Sequence, residues 1–130
     1  MHYTTVEEIP VGEVVTAGMF LVNAIVLFDS GASRSFMSQA FASRHDQKII
    51  EVSKGGYNIS SAGATISTNK IVRNVLISIR EREYTTNLIV LRGLSISVIL
   101  GMNWMKDHGV LIDTSTRTIM LRELKEEMLF

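Results

Sequence analysis

One acidic residue stands between an apolar run and a turn of small residues in the segment VLFDSGAS, residues 26–33. Asp29 follows four apolar residues that are typical of a core strand, so we expect its carboxylate where that strand ends. Ser30 and Ala32 leave the carboxylate accessible, and Gly31 permits a backbone conformation that a Cβ would resist. The pattern predicts an acid fixed at the floor of a cleft. An ordinary Asp-Ser-Gly turn at a strand end is the alternative.

A second segment, SVILGMNWM, places two large aliphatic residues, Ile99 and Leu100, before Gly101. The apolar residues indicate a short buried strand, and MNWMKDHG is long enough for two helical turns. We expect Gly109 to end this helix, because glycine readily takes the left-handed conformation that follows a helix. Trp104 is expected to anchor the core or an interface. Taken alone, the segment predicts a strand that enters a helix.

Strand-forming residues dominate the elements that must position these two segments. Val, Ile and Thr number 12, 14 and 10, against one proline, and β-branched side chains favour strands. In RNVLISIR, Val75, Ile77 and Ile79 share one face, and we predict a hairpin over 73–91 that turns at the polar residues EREY. EVVTAGMFLV and AIVLF are predicted to be two strands separated by little more than Asn23.

The remaining segments complete a predicted all-β domain with two short helices. SFMSQAFASRH has helical spacing with Ser35 available as the N-cap, and QKIIEVS returns to strand. A Gly- and Ser-rich stretch has strand-like segments on either side of Ala62 and Gly63. VLID and TIMLR are predicted to form a last hairpin. ELKEEMLF, residues 123–130, has the pattern of a charged amphipathic tail with helical character.

Composition argues against several functional classes. Thirteen Lys and Arg residues balance thirteen Asp and Glu without a basic stripe, so nucleic-acid binding is not expected. There is no cysteine, and His2, His45 and His108 lack metal-ligand spacing, so we expect neither a metal nor another cofactor. We expect no signal peptide and no membrane span. A hydrophobic fraction of 46% and a mean hydropathy of +0.22 are high for a small domain and predict burial against another subunit.

The order of these features resembles the retropepsins, the aspartic proteases of retroviruses and LTR retrotransposons. LFDSGASRSFMS and VILGMNW are most similar to proteases of gypsy-type retrotransposons. The resemblance covers residues 14–122, which leaves 1–13 as an N-terminal extension and 123–130 as a charged C-terminal tail. It implies a retropepsin-like half-domain, an all-β closed barrel or sandwich with short helices and a flap hairpin, over residues 55–71, that closes on bound peptide.

The resemblance also assigns roles to single residues. The implied roles are catalysis by Asp29; support within its loop by Ser30, Gly31 and Ala32; a ψ-shaped support beneath the loop from Ile99, Leu100 and Gly101; and substrate contacts at the flap tip from Ser61, Ala62, Gly63 and Ala64.

A single suitable aspartate in the chain implies an assembly of two chains. Aspartic proteases hold a water between two carboxylates that share one proton. Asp113, in VLIDTSTR, also ends an apolar strand, but Ser115 stands where the loop needs Gly, and no apolar-apolar-Gly strand follows. We therefore expect a homodimer with Asp29 and its twofold mate as the dyad, cleaving a retrotransposon polyprotein in the cytoplasm, virus-like particles included. The alternative is a dimerisation or interaction module of the same fold with little or no catalysis.

Two positions depart from the pattern of many retroviral members, whose subunits are tied by an ion pair between an Arg and an acidic residue. Met102 and Ser33 stand at those places here, and Arg34 or Asn103 are candidates to replace the missing tie. The resemblance further implies that the Ser30 hydroxyl bonds to the partner's loop.

Overall fold

A computed structural model describes residues 2–10, 14–19, 22–53, 55–61, 63–79, 82–113, 115–116 and 118–125. The elements of these residues, in chain order, are β1 (His2–Pro10), β2 (Val14–Met19), β3 (Val22–Phe28), β4 (Phe36–Ser38), α1 (Gln39–Arg44), β5 (Ile50–Glu51), β6 (Tyr57–Ser61), β7 (Ala64–Thr68), β8 (Lys70–Ile79), β9 (Arg82–Leu91), β10 (Val98–Leu100), α2 (Met102–Asp107), β11 (Leu111–Asp113) and β12 (Thr118–Lys125). The predicted all-β class with short helices is confirmed.

A seven-stranded sheet forms the body of the domain, in the order β2-β3-β10-β4-β9-β8-β5. β2, at one edge, also pairs with β8 near the other edge, where Gly18 lies opposite Ser78 and Met19 opposite Ile77. β2 can pair with both β3 and β8 only if the sheet curls round on itself. The result is a half-barrel whose concave side holds the main core.

Alternation along β8 and β9 separates two apolar clusters. On β8, Val75, Ile77 and Ile79 are buried while Leu76 is 41% exposed, which confirms the predicted faces. Along β9, Leu88 and Val90 belong to the main core, whereas Ile89 and Leu91 belong to a second cluster. Since successive strand side chains point to opposite faces, the second cluster lies on the other side of the sheet.

The second cluster supports a separate two-stranded hairpin, β6–β7. Tyr57, Ile59 and Ile66 of this hairpin pack against a buried group that includes Phe36 and Ile89. These apolar contacts hold the base of the hairpin on the sheet. The strands that the sequence predicts on either side of Ala62 and Gly63 are therefore confirmed.

The two ends of the chain meet in a three-stranded sheet, β1-β12-β11. β1 runs antiparallel to β12, from His2 opposite Lys125 to Pro10 opposite Thr118, and β11 and β12 form the predicted last hairpin. The helical character expected for the tail is wrong for residues 123–125, because β1 offers them an antiparallel partner. Residues 126–130 lie outside the described part of the chain. The division of the chain at residues 13 and 123 stays a prediction.

Three local expectations are corrected by pairing between strands. β2 ends at Met19 and β3 begins at Val22, so Asn23, expected between the two strands, lies inside β3 opposite Gly18. Arg82 and Tyr84, expected in a turn, belong to β9, where they pair with Ile79 and Ile77 of β8. The hairpin itself is confirmed.

The third correction concerns the start of α1. Residues 36–38 form β4 rather than helix because β10 and β9 pair with them on both sides. α1 begins after Ser38, whose hydroxyl oxygen accepts a hydrogen bond from the Phe41 N–H at 3.2 Å. Ser35 is therefore not the N-cap. Its side chain serves the site described below.

An aromatic cluster attaches α2 to the core. Trp104 is fully buried, with its ring centroid 5.7 Å from that of Phe28 and 5.1 Å from that of Tyr84. His108, which caps the helix, stacks on both Trp104 and Tyr84 at 5.3 and 5.0 Å. Gly109 has a φ of +62° and ends the helix as predicted. Trp104 is thus a core anchor.

Burial in this cluster lowers the pKa of His108, because the imidazolium loses hydration; the negative charge of Asp107 and a backbone hydrogen bond with Thr85 oppose this effect. A lowered folded-state pKa means that the unfolded chain binds the proton more readily. The contribution of His108 to stability is therefore present at neutral pH and is lost as pH falls below the imidazole value of the unfolded chain.

We predict that His108→Phe removes part of the acid sensitivity of folding while it keeps the aromatic packing. Urea unfolding of the wild type at fixed protein concentration should show a falling free energy of unfolding from neutral to mildly acidic pH, and the variant should show a shallower fall. His45→Phe is the matched control, because His45 lies outside the cluster but also contacts an aromatic ring, that of Phe41. This variant should keep the part of the pH dependence of the free energy of unfolding that comes from His108. Identical pH dependence in wild type and His108→Phe would contradict this account.

Candidate active site

The backbone of Asp29 is fixed by the neighbouring parallel strand. β3 ends at Phe28, which lies opposite Leu100 of β10. The Asp29 N–H continues this ladder and donates to the Leu100 carbonyl oxygen at 3.0 Å. The acid therefore stands at the strand end, as the sequence predicts, and its main chain cannot shift without breaking the sheet.

The small-residue turn orients the carboxylate. The Gly31 N–H donates to Asp29 Oδ1 at 2.9 Å, and the Ala32 N–H donates to the Asp29 carbonyl oxygen at 3.2 Å. A Cβ on Gly31 would lie 3.2 Å from that Oδ1, which leaves little room for any larger residue. Ser30, at the exposed tip of the turn, carries its hydroxyl at the surface. Ser30, Gly31 and Ala32 thus form the turn predicted for them.

Gly101 allows the chain to cross directly beneath this turn. A Cβ at this position would lie 2.6 Å from the Ala32 carbonyl oxygen and closer still to that of Arg34. Immediately after it, the Met102 N–H donates to the Ala32 carbonyl at 2.8 Å and the Asn103 N–H donates to that of Ser33 at 3.2 Å. The start of α2 is therefore bonded, backbone to backbone, to the loop that carries Asp29.

The two aliphatic residues before Gly101 lie on opposite faces of the sheet. Leu100 is fully buried in the main core. Ile99 pairs with Leu27 on one side and Phe36 on the other, and its side chain is half-buried at the cleft. These positions agree with a support beneath the loop.

Ser35 is a site residue whose role the sequence analysis missed. Its side chain is 1% exposed, and its hydroxyl donates to Asn103 Oδ1 at 2.7 Å while it accepts from the Gly101 N–H at 2.9 Å. Its own carbonyl accepts from the Ile89 N–H at 3.0 Å. Ser35 therefore joins the end of the loop to β9 and to the crossing point. A hydroxyl residue directly before a strongly apolar pair was the available signal, but helical spacing suggested an N-cap instead.

A cleft of about 460 Å³ opens above Asp29. Its lining combines the loop that follows Asp29, the middle of β6 and a set of apolar side chains. The described lining residues are Asp29, Gly31, Ala32, Ser33, Arg34, Phe36, Asn58, Ile59, Ser60, Leu91, Leu94 and Ile99. An extended apolar or mixed segment would have both polar and apolar surfaces to contact there.

The β6–β7 hairpin, which contributes Asn58, Ile59 and Ser60 to the cleft, is the segment predicted to be a flap. Ser61 pairs with Ala64 at its end, and Gly63 has a φ of +78°, as a tight turn requires. Ala62 lies outside the described residues. Gly63 and Ala64 are exposed, and the substrate contacts expected of this tip stay a prediction. The hairpin residues that line the cleft, 58–60, come just before it and were not singled out from the sequence.

Arg34 and Asn103, the two candidates for an inter-subunit tie, are engaged within the chain. Asn103 Oδ1 is bonded to Ser35. The guanidinium carbon of Arg34 lies 5.0 Å from the centroid of the Tyr57 ring, as a cation–π contact at the base of the flap.

Asp113 occupies a different environment from Asp29. Its Oδ1 accepts from the Ser115 hydroxyl at 2.6 Å and from the Ser115 and Thr116 N–H groups at 3.0 and 3.3 Å. The Ser115 hydroxyl, more than any other group, lowers the pKa of this exposed carboxyl. Asp113 is thus the anchor of a surface turn.

Neither a metal site nor a membrane helix is found in the described residues. No three His, Cys, Asp or Glu side chains among them come together to hold a metal ion. None of the helices among them has the length and apolarity needed to cross a bilayer.

Comparison with known proteins places the chain in a family. A sequence model described as retroviral aspartyl protease matches residues 1–127. The chain belongs to the retroviral aspartyl protease family. The match includes residues 1–13 and 123–127, which the resemblance had left outside residues 14–122. A comparison with curated proteins finds no match.

Two solved structures show that the fold is that of the aspartyl protease family. EIAV protease complexed with the inhibitor HBY-793 is similar with a TM-score of 0.62 and 21% identity, over 78% of this chain and 91% of that one. The retroviral protease-like domain of Ddi1 from Leishmania major is similar with a TM-score of 0.61 and 14% identity, over 91% of this chain and 98% of that one. The predicted retropepsin-like fold is confirmed.

We predict that Gly101→Ala costs about 3 kcal/mol or more of folding stability, because its Cβ meets two backbone carbonyls that cannot move independently of the loop. Gly93→Ala is the matched control. Gly93 has a φ of +77° and open space around it, so that change should cost only the backbone strain of about 1 kcal/mol. Urea unfolding of both variants measures the difference, and equal losses would contradict the crossing as the cause.

We predict that Ser35→Ala destabilises the fold by about 1–3 kcal/mol, because it leaves the Gly101 N–H and Asn103 Oδ1 without the buried hydroxyl that joins them. Ser95→Ala, at an exposed loop position, should change stability by less than about 0.5 kcal/mol. Thermal unfolding of the pair gives the comparison. A Ser35→Ala variant as stable as Ser95→Ala would show that the Ser35 hydroxyl does not support the site.

Proposed function

We propose that this chain is an aspartic endopeptidase that acts as a homodimer on extended segments of a retrotransposon-type polyprotein. The observation that carries the proposal is the Asp29 carboxylate. It lines the cleft together with residues of the β6–β7 hairpin, accepts a hydrogen bond from the Gly31 N–H, and lies on the loop that the Gly101 crossing supports. Membership of the retroviral aspartyl protease family supports the same chemistry.

The proposed chemistry needs two carboxylates. One, ionised, removes a proton from a water whose oxygen attacks the scissile carbonyl carbon. The other, protonated, donates to the oxygen that becomes negatively charged. The tetrahedral intermediate collapses when the C–N bond breaks and a proton reaches the leaving nitrogen. Two carboxyls about 3 Å apart favour this state, because ionising both is electrostatically costly.

The described lining of the cleft contributes one carboxylate, that of Asp29. Asp113 is held in its own turn, so the second carboxylate of the proposed dyad is Asp29 of a second copy. A twofold axis beside the loop would bring the two turns together, and the exposed Ser30 is placed to bond to the partner's loop. Met102, 39% exposed directly after the crossing, offers apolar surface for the same contact.

The substrate is proposed to bind as an added strand. The flap and the loop present backbone groups on two sides of the cleft, a geometry suited to an extended peptide. Phe36, Ile59, Leu94 and Ile99 supply apolar lining, so apolar side chains near the scissile bond would be favoured.

We predict that Asp29→Asn leaves a folded dimer and lowers cleavage of an unstructured protein such as casein by about a thousandfold or more. The Asn amide oxygen can still accept from the Gly31 N–H, so the turn should survive. Circular dichroism and sedimentation check folding and assembly, and Asp113→Asn is the matched control that should stay active.

The wild-type activity should appear at mildly acidic pH and be blocked by a pepstatin-type inhibitor. Cleavage retained by Asp29→Asn would overturn the proposal. A wild-type dimer that cleaves nothing would favour the interaction module instead.

A further inference from the structure

The described lining of the cleft contains one cation, Arg34, beside one anion, Asp29; its remaining members are uncharged. Arg34 lies on the same loop as Asp29, five positions later, on the wall that faces the flap. The proposed dyad chemistry uses the Asp29 carboxylate and assigns no role to Arg34. A charged side chain in a peptide cleft is a strong determinant of which peptides bind there.

Both ends of Arg34 are held in place. Its carbonyl lies against Gly101 at the crossing, which fixes the backbone. Its guanidinium carbon lies 5.0 Å from the centroid of the Tyr57 ring, and Tyr57 is half-buried in the cluster beneath the flap. A cation–π contact forms no hydrogen bond, so it leaves the guanidinium N–H groups available to a planar acceptor.

No ion pair occupies this guanidinium among the residues that the structure describes; its one contact there is the Tyr57 ring. The charge is exposed at the cleft wall. The acceptor that best matches a pre-positioned guanidinium edge is a carboxylate, which can bond through both oxygens.

We propose that Arg34 is a specificity-determining residue that selects substrates with an Asp or Glu close to, but outside, the scissile pair. The inference rests on the proposed peptidase function and adds the charge of its substrate. Asp29 stands at the reacting centre and Arg34 at the base of the flap, so the acidic side chain lies toward the end of the bound segment. In a symmetric dimer the two copies of Arg34 flank the dyad, and either side of the scissile bond can carry the acid.

The test compares charge preference in four proteins: wild type, Arg34→Gln, Arg34→Glu and the control Arg44→Gln. Arg44 is exposed at the end of α1 and outside the cleft lining. Cut sites are first mapped in casein. One cleaved segment is then made as a set of synthetic peptides in which Glu, Gln or Lys replaces each residue near the cut in turn, and kcat/KM is measured for each peptide.

For the wild type and Arg44→Gln, we expect Glu to raise kcat/KM about tenfold over Gln at one position on a given side, and Lys to lower it. Arg34→Gln should lose this preference, and Arg34→Glu should favour Lys at the same position. The preference should shrink as salt is added, because the pair is accessible to solvent.

The inference is overturned if the preference for Glu survives in Arg34→Gln, or if the wild type shows no such preference. In either case, cleavage of the peptides still upholds the proposed peptidase function. A different result would be that sedimentation shows no dimer of Arg34→Gln, with a loss in kcat/KM that is the same for every peptide charge. Arg34 then ties the subunits together and the inference is wrong.

Binding of the same peptides to Asp29→Asn, followed by fluorescence anisotropy, separates the two proposals further. Glu-selective binding that requires Arg34, in a protein that cleaves nothing, upholds the inference and overturns the peptidase. Absence of both cleavage and binding overturns both.

Discussion

The close crossing of two backbone segments at Gly101 is the constraint on which the site depends. Carbonyls of Ala32 and Arg34 converge on a position with no room for a side-chain atom. The bonds on either side of it, from Asp29 to Leu100 and from Met102 to Ala32, are between main-chain atoms and so are independent of side-chain rotamers. Ser35 closes the arrangement from within by bonding to the Gly101 N–H. A carboxylate on a flexible turn is thereby held as rigidly as a residue inside a sheet.

The same crossing sets the charge pattern of the cleft. Asp29 and Arg34 belong to one short loop whose two ends are bonded to the same support, so the directions of the acid and the cation are fixed together. The β6–β7 hairpin adds a second constraint, because Tyr57 contacts the guanidinium while Ile59 lines the cleft. Movement of the hairpin would therefore change the environment of Arg34 more than that of Asp29. In the proposed enzyme, peptide selection and catalysis would be supported by separate contacts of a single loop.

Local pattern was sufficient where local chemistry decides the structure. An apolar run ending in Asp-Ser-Gly, and an aliphatic pair ending in Gly101, each carry enough information to place a strand, a turn and the candidate acid. Local pattern was not sufficient where a partner far along the chain determines the secondary structure. Residues 36–38 have helical spacing yet lie between β10 and β9, and residues 123–125 look helical yet pair with β1. Ser35 was misassigned for the same reason, since its partners lie far along the chain at Gly101 and Asn103.

The departures from the retroviral pattern have a physical consequence for the proposed assembly. Ser33 and Met102 contribute no charge where many retroviral members have an ion pair, and Asn103 is bonded within its own chain. Association would then rest on apolar contact, and burial of a methionine side chain contributes about 1.5–3 kcal/mol. Such contact weakens little with salt, whereas the Arg34 charge at the cleft wall is screened by it. In this arrangement the ionic environment tunes which peptides are selected far more than it tunes the dimer that completes the catalytic pair.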